Sequence, residues 1–527
     1  MEAKSKGQHW ADSTAEKIVR EKGPKARYTC ASGITPSGTV HIGNFREIIS
    51  VELVARALRE MGHEVRFIYS WDDYDVFRKV PKNMPMQEVL EAHLRFPITL
   101  VPDPFGRDES YARHHEVDVE RILPEVGVAP EFLYQAERYR SSMYAEGMRR
   151  ALEKKALIKE ILDEFRQEEL GDDWWPVSIF CDACNKDTTK VLSWDGEWAL
   201  RYSCECGHEA EIDLRKAKGA KLFWRIDWPM RWAREGVDFE PAGKDHHSQG
   251  GSFDTARRIS REVYGHEPPV TFQYDFIGIK GRGGKISSSS GDVVDLYDVL
   301  EVYQPEIARY LFAGTRPNTE FTISFDLDVI KIYEDYDRTE RIYWGLEEAS
   351  EEKRAKESRI YELSQVAAVP AHMPYQAPFR HLSSILQIND GDIARTRAAF
   401  EREAGRAFDA IDLKAFERRA ACCAAWLGKY APEDFKFSLR APGEKAPLAP
   451  SELSAVAELR DYAAAATDWG KSFTEGMYAI AAKHGLDTKA FFRAVYQALV
   501  GKDQGPRLAS FLESIGKERI GQILSAY

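Results

Sequence analysis

The chain is predicted to fold as an α/β protein with a doubly wound parallel sheet, interrupted by a cysteine-bearing insertion and followed by an all-α C-terminal domain. Three observations carry this. The first 120 residues alternate strand-like with helix-like segments, four of the seven cysteines cluster between 181 and 206, and from about residue 328 the apolar spacing is almost wholly helical.

Residues 27–32 (RYTCAS) read as a short strand that runs into a Gly/Pro/Ser turn at 33–38. From Asn44 to Met61 the apolar residues recur at helical spacing, and Gly62 supplies the stop. Residues 65–71 (VRFIYSW) form a second strand ending in the acidic cluster Asp72, Asp73, Asp75. Strand, Gly-containing loop, helix and parallel strand make a βαβ unit, the opening of a nucleotide-binding sheet. Residues 140–170 read as helix, and 171–215 are Trp-, Cys- and Gly-rich with little periodicity. Strand signals return near 270–279, again followed by a Gly-rich loop. Amphipathic, Ala-rich segments then occupy 391–428, 451–468 and 473–500, with a Pro-containing connector at 441–450. The expected domains are 1–140 and 221–327 for the two halves of the sheet domain, 141–220 for the insertion, and 328–527 for the helical domain.

A length of 527 residues, 43% hydrophobic and 30% charged, belongs to an ordinary globular protein. No apolar run approaches the ~18 residues of a membrane span, so no membrane partner is expected. The N-terminus is polar and mixed in charge, and the expected location is cytoplasmic. The net charge of −12 does not exclude a nucleic-acid partner, because binding depends on local basic patches that meet phosphates.

The first motif with chemical content is Thr35-Pro-Ser-Gly-Thr-Val-His41-Ile-Gly-Asn44, on the loop between the first strand and its helix. The place suits ATP. A helix N-terminus offers free N–H groups and positive dipole to phosphates. Pro36 and Gly38 shape the turn, Gly43 allows close approach to the backbone, and His41 can donate to phosphate oxygens; a plain Gly/Ser turn is the bland alternative. The second motif is Cys181-x2-Cys184, nineteen residues, then Cys204-x-Cys206. Two close thiolate pairs in a segment with little core of its own fit tetrahedral structural zinc. A redox pair or metal-free buried cysteines are the alternatives, and His208 could replace one thiolate.

The sequence resembles class I aminoacyl-tRNA synthetases. His41-Ile-Gly-Asn44 is similar to their "HIGH" motif, and Lys285-Ile-Ser-Ser-Ser289, about 240 residues downstream, to their "KMSKS" loop. Ser288 stands where that motif has its second lysine, leaving Lys285 inside it, with Lys280 and Arg282 nearby. The resemblance extends over nearly the whole chain to the class I lysyl-tRNA synthetases, through Ala31–Gly38, Ser70-Trp-Asp-Asp-Tyr-Asp75, Phe77-Arg-Lys-Val-Pro81, Trp224-Arg-Ile-Asp-Trp-Pro-Met-Arg-Trp232, Gly243-Lys-Asp-His-His247 and Tyr274-Asp-Phe-Ile-Gly278.

That resemblance implies a Rossmann-like catalytic domain, ATP, Mg²⁺ and structural Zn²⁺ as cofactors, and L-lysine and tRNA(Lys) as partners. It implies catalytic roles for His41, Asn44 and Lys285, and ATP contacts from Pro36, Gly38, Gly43, Ser287 and Ser288 as well. A lysine ε-ammonium wants a carboxylate or an aromatic face. Asp73, Asp75, Asp245, Trp228 and Tyr274 are suitable, with His246 beside Asp245. Gly33 and Thr35 suit the backbone end of the substrate. Some relatives carry a second metal site built from an Asp, a Cys and two His in the segment matching Asp103–His115. Here Arg107 and Asp108 replace two of those ligands, so that site is expected to be absent. The basic loop Gly501–Arg507 resembles one that reads anticodon bases, which nominates Arg507 for tRNA. Most of the Arg/Lys residues at 395, 397, 402, 406, 414, 418 and 419 read as solvated helix faces. Two rivals remain: a glutamyl-type synthetase, and a synthetase-derived RNA-binding protein without catalysis.

Overall fold

In the computed structural model, which describes residues 9–281 and 293–527, the chain forms two compact units. One comprises Met1–Leu300, Pro305–Ile323 and Gly345–Val369; the other comprises Glu301–Gln304, Ser324–Trp344 and Pro370–Tyr527.

The first unit opens with helix α1 (Trp10–Lys22), strand β1 (Arg27–Ile34), helix α2 (Ile42–Glu60) and strand β2 (Glu64–Trp71). β1 and β2 pair in parallel, Arg27 opposite Glu64 through to Ile34 opposite Trp71. Helix α3 (Tyr111–Ile122) leads to strand β3 (Glu131–Tyr134), which adds in parallel to the far edge of β2. On the other side of β1 the backbone near Phe239 runs parallel to it, and Val270 runs parallel to Phe239 in turn. The Ala31 N–H donates to the Phe239 carbonyl at 2.8 Å and the Glu240 N–H to that of Val270 at 3.1 Å. β1 thus has parallel neighbours on both sides. The strand expected over 270–279 is divided into Gln273–Tyr274 and Ile277–Ile279, with residues 275 and 276 between them.

α2 is apolar around most of its circumference. Ile42, Phe45, Ile48, Ile49, Val51, Leu53, Val54 and Leu58 are all buried, as befits a helix lying between the sheet and the helices Trp10–Lys22 and Pro305–Ala313. Each fully buried Ile, Leu or Phe contributes about 1.5–3 kcal/mol. Its buried cation, Arg46, is fully used by backbone carbonyls: Phe276 (3.2 Å), Arg316 (2.9 Å), Pro317 (2.7 Å) and Thr319 (2.8 Å). These bonds tie α2 to two distant loops and offset the desolvation that a buried guanidinium would otherwise suffer.

The segment expected to lack periodicity is in fact an antiparallel unit. Strands β4 (Val177–Ile179), β5 (Thr189–Trp194), β6 (Ala199–Cys204), β7 (Glu209–Asp213) and β8 (Ala220–Leu222) form a three-stranded sheet β5-β6-β7 and a separate β4–β8 pair. The strands are too short and too exposed on one face to announce themselves by alternation: in β5 only Val191 is buried. β8 runs on into helix α4 (Trp224–Glu235).

The second unit is helical from Asp328–Tyr343 to Lys517–Ile523. Its helices start on side-chain caps where the sequence offers them: Asp392 accepts from the Arg395 N–H, Asp409 from Ile411 and Asp412, and Asp487 from Ala490. Gly405 ends Ile393–Ala404 in the left-handed conformation, dividing the segment expected as one stretch over 391–428. Arg419 does not lie on a solvated face. It is buried, paired with Asp337 at 2.6 and 3.0 Å, and donates to the Gln304 side chain and the Ala377 carbonyl. Among the described residues no helix is long and apolar enough to cross a membrane.

Candidate active site and cysteine cluster

A cavity of about 470 Å³ opens at the C-terminal ends of β1 and β2, the edge where parallel sheets hold their ligands. Its wall includes Gly33 and Thr35 at the end of β1, Asn44 and Glu47 on α2, Asp72, Asp75 and Arg78 after β2, Ser178 and Asp187 from the insertion, Lys221 and Leu222 just after it, and Trp224, His246 and Tyr274. The insertion therefore forms part of the site.

Gly33 is dictated by packing: a Cβ there would lie 2.8 Å from the Ser70 carbonyl oxygen on the neighbouring strand. Its N–H donates to Glu47 Oε1 at 3.2 Å, and the Ser32 hydroxyl donates to the same oxygen at 2.8 Å. The Tyr274 hydroxyl donates to Glu47 Oε2. Burial pushes the Glu47 carboxyl above its ordinary range, and the donors Tyr274, Ser32 and Gly33 only partly oppose this.

The other acids of the wall are engaged by cations. Asp72 pairs with Arg231 at 2.5 Å. Asp75 takes the Lys221 ammonium at 2.6 Å and the Thr35 hydroxyl at 2.9 Å. Burial alone would raise Asp75, but Lys221 and Thr35 outweigh it and hold the carboxyl below its usual value. Asp187 pairs with Arg95 at 2.7 Å. Glu47 alone among them has neutral partners only. A smaller pocket adjoins, lined by Trp224, Trp228, Arg231, Glu240 and His246. There Glu240 accepts the indole N–H of Trp228 (3.0 Å) and of Trp232 (2.6 Å), and burial lifts it to about 7 against those two donors.

The loop motif is organised locally. His41 is the N-cap of α2, and its N–H donates to Asn44 Oδ1 at 3.1 Å while the Asn44 N–H returns to the His41 carbonyl at 2.8 Å. A Cβ on Gly43 would meet the His41 ring at 2.9 Å, so glycine is what lets the imidazole lie against the first turn. Thr35 and Asn44 reach the large cavity; His41, Gly43, Pro36 and Gly38 do not line it.

Of the residues nominated for an amino-acid substrate, Gly33, Thr35, Asp75, His246 and Tyr274 come together in the cavity. Three do not. Asp73 is buried, turned to accept the Ala136 N–H at 2.7 Å, and burial raises it to about 7. Asp245 is exposed on the short helix Lys244–His247. Trp228 lies one layer deeper, stacked on Trp224 at 5.1 Å, and Trp224 presents its ring to the large cavity instead. Sequence reasoning missed Glu47 because an acid inside an apolar helical run reads as a surface position. The signal was its place three residues after Asn44 on α2, one turn above the loop. Lys285, Ser287 and Ser288 lie outside the described residues. Arg507 is exposed at the N-cap of Leu508–Ile515 in the helical unit.

The four clustered cysteines converge. Sγ of Cys181 lies 3.8 Å from Cys206 and Sγ of Cys184 3.7 Å from Cys204, with all four within 4.8 Å of one another. A tetrahedral zinc with Zn–S bonds of about 2.3 Å requires sulfur separations of about 3.8 Å. Asn185 takes a left-handed φ of 61° to close the first cysteine turn. The four sulfurs, without His208, therefore form the donor set that fits zinc.

The family model described as tRNA synthetases class I (K) matches residues 8–367, and the chain belongs to this family. It is 53% identical to the lysine–tRNA ligase of Treponema pallidum over 528 residues, covering 99% of each chain. It is 52% identical to that of Borreliella burgdorferi, covering 98% of this chain and 99% of the relative. The identity to the lysine–tRNA ligase of Pyrococcus horikoshii is 40%, covering 97% and 98%.

Proposed function

We propose that this protein activates L-lysine with ATP to lysyl-adenylate and pyrophosphate and transfers the lysyl group to the 3′ end of tRNA(Lys). The observation that carries the reading is the charge state of the cavity wall: Asp72, Asp75 and Asp187 are neutralised by cations, and Glu47 is left with neutral donors. A cationic side chain supplies what Glu47 lacks, whereas a glutamate side chain would meet a second carboxylate.

In this reading the lysine ε-ammonium lies on Glu47 and the Tyr274 hydroxyl, with Trp224 along its stem and Gly33 and Thr35 at the backbone end. The parallel sheet around β1 is a Rossmann-like fold whose winding reverses at β1, which puts ATP over the α2 N-terminus. His41 and Asn44 position the nucleotide, Lys285 neutralises the leaving pyrophosphate, and Ser287 and Ser288 donate hydrogen bonds to the ATP. Mg²⁺, when bound with ATP, screens the phosphates. Catalysis is positioning and charge neutralisation, with no covalent nucleophile. The four cysteines hold a structural zinc in the insertion, and the helical unit, through Arg507 and its loop, takes the anticodon.

An ATP–pyrophosphate exchange assay across all twenty amino acids, with tRNA present, tests the reading. Lysine alone should support exchange. Glutamate-dependent exchange, or none with any amino acid, would overturn it.

A further inference from the structure

Next to the candidate site, but apart from it, lies a second cluster of metal-type donors. Asp103, Asp108 and His114 bring one ligand atom each within 4.8 Å of one another. Asp103 Oδ1 is 3.1 Å from His114 Nδ1, and Asp108 Oδ2 is 3.8 Å from it. Phe105 stacks flat on the imidazole at 4.5 Å and 15°.

These donors are already occupied. Asp103 accepts three backbone N–H groups, from Phe105 (3.0 Å), Arg107 (2.7 Å) and Asp108 (2.9 Å). The same carboxylate lies 3.1 Å from His114 Nδ1. The Arg107 Nη2 lies 2.9 Å from Nε2 and 3.1 Å from Nδ1, so it meets the ring itself, and it reaches both oxygens of Asp118 at 3.1 and 3.3 Å. A divalent ion bonded to His114 at about 2.0–2.1 Å would share its coordination space with this guanidinium. The residues present do not fit a metal; they fit the cation that is covalently part of the chain.

The cluster also has an output. Its turn ends at Ser110, whose side chain caps α3, and the next residue, Tyr111, is fully buried. The Tyr111 hydroxyl donates to the Ser37 carbonyl at 3.0 Å, in the turn between β1 and α2. The Ser37 N–H in turn bonds the Thr35 carbonyl at 2.8 Å, and the Thr35 hydroxyl bonds Asp75. The Tyr111 side chain therefore links the turn at residues 103–110 to the loop assigned to ATP.

We propose that Arg107 is the resident cation of the Asp103–Asp108–His114–Asp118 cluster, standing in for a metal ion, and that the bracket it closes positions the Thr35–Gly38 turn through Tyr111. Arg107 is a positioning residue and touches no substrate. The nucleotide part of this inference rests on the proposed function; the metal part does not.

The test uses the full-length enzyme. After incubation with zinc and removal of excess, the unmutated chain should hold about one zinc, and Cys204→Ser should hold none. A zinc ion retained by Cys204→Ser, and lost only when His114→Ala is added, would overturn the proposal. In lysine-dependent exchange, Arg107→Ala should raise the ATP KM about tenfold while moving the lysine KM far less, as a misplaced loop would. Arg107→Lys should recover most of the loss, and Tyr111→Phe should reproduce it. The double variant Arg107→Ala/Tyr111→Phe should be no worse than either single one, because both act through one contact. An unchanged ATP KM in Arg107→Ala, or equal rises in both KM values, would remove the positioning role. If the unmutated enzyme supports no exchange with lysine, the proposed function fails, and the zinc count still decides the resident cation.

Discussion

Tyr274 and Glu47, 227 residues apart in the chain, meet across the floor of the cavity, the phenol donating to the carboxylate. The contact joins α2 to the strand Gln273–Tyr274 and leaves a half-buried acid whose hydrogen-bonding needs are met without any positive charge. An acid satisfied in this way is stable in the empty protein and still gains from an arriving ammonium.

Replacing it should therefore cost lysine specifically. Glu47→Gln keeps the shape and removes the charge, and the lysine KM should rise ~10²-fold or more, as when one partner of a buried charge pair is truncated. Binding of norleucine, which lacks the ammonium, should change little. Equal losses for both would mean that Glu47 shapes the pocket without reading charge.

The same residue predicts a pH dependence. Burial raises Glu47 above its ordinary range, and only its ionised form pairs with an ammonium. Lysine kcat/KM should rise with pH through the raised Glu47 value and level off above it. The rising limb should vanish in Glu47→Gln, and its persistence there would assign it to another group.

Glu240 predicts a stability effect of defined sign. Its folded value, about 7, lies above the unfolded ~4.3. The native state holds the extra proton between the two, so this contribution is fully present below ~4.3 and is lost as pH rises through about 7. The melting temperature of the unmutated protein minus that of Glu240→Gln should fall between about pH 5 and 8. A flat difference would show that Glu240 does not titrate in that window.

Gly43→Ala tests the close approach in the first turn. The new Cβ would fall 2.9 Å from the His41 ring, and that ring must move. The adenylation rate should drop by about tenfold or more, by misplacement of a positioning group, while the melting temperature stays near that of the parent. A normal rate would mean that the His41 orientation seen here is not the one used.

The cysteine cluster makes the last prediction. Purified protein should carry about one zinc per chain, and Cys181→Ser or Cys204→Ser should release it. Proteolysis should then begin within residues 175–215, the segment whose two cysteine turns a bound metal would tie together. Metal-free protein that resists protease equally would refute the structural role.

The parts of this molecule that were legible in the sequence are those with strong local signals. β1, α2 and β2 lie within two residues of where apolar spacing puts them, because α2 is apolar around most of its circumference and the strands run into the Gly/Pro/Ser turn and the acidic cluster. The cysteine spacing led directly to the four converging sulfurs. What was not legible depends on contacts distant in the chain. Asp73 and Asp75 are near neighbours with opposite fates, decided by the Ala136 N–H and the Lys221 ammonium. Trp224 and Trp228 differ by one helical turn, and which one faces the cavity is set by Glu240 drawing Trp228 inward. The insertion strands escaped notice because they are only three to six residues long and their burial does not alternate regularly.

The β4–β8 pair has a consequence beyond architecture. Phe180 follows β4 and precedes Cys181, and Ser178, Lys221 and Leu222 of the same pair stand in the cavity wall. One short ladder thus borders the sulfur cluster at one end and the substrate cavity at the other. Whatever free energy lysine loses when the metal is absent, the metal loses when lysine is absent, because binding at the two places is reciprocal. If the proposed zinc and lysine sites are coupled through this ladder, a chelator titration with and without lysine reads that coupling from either side.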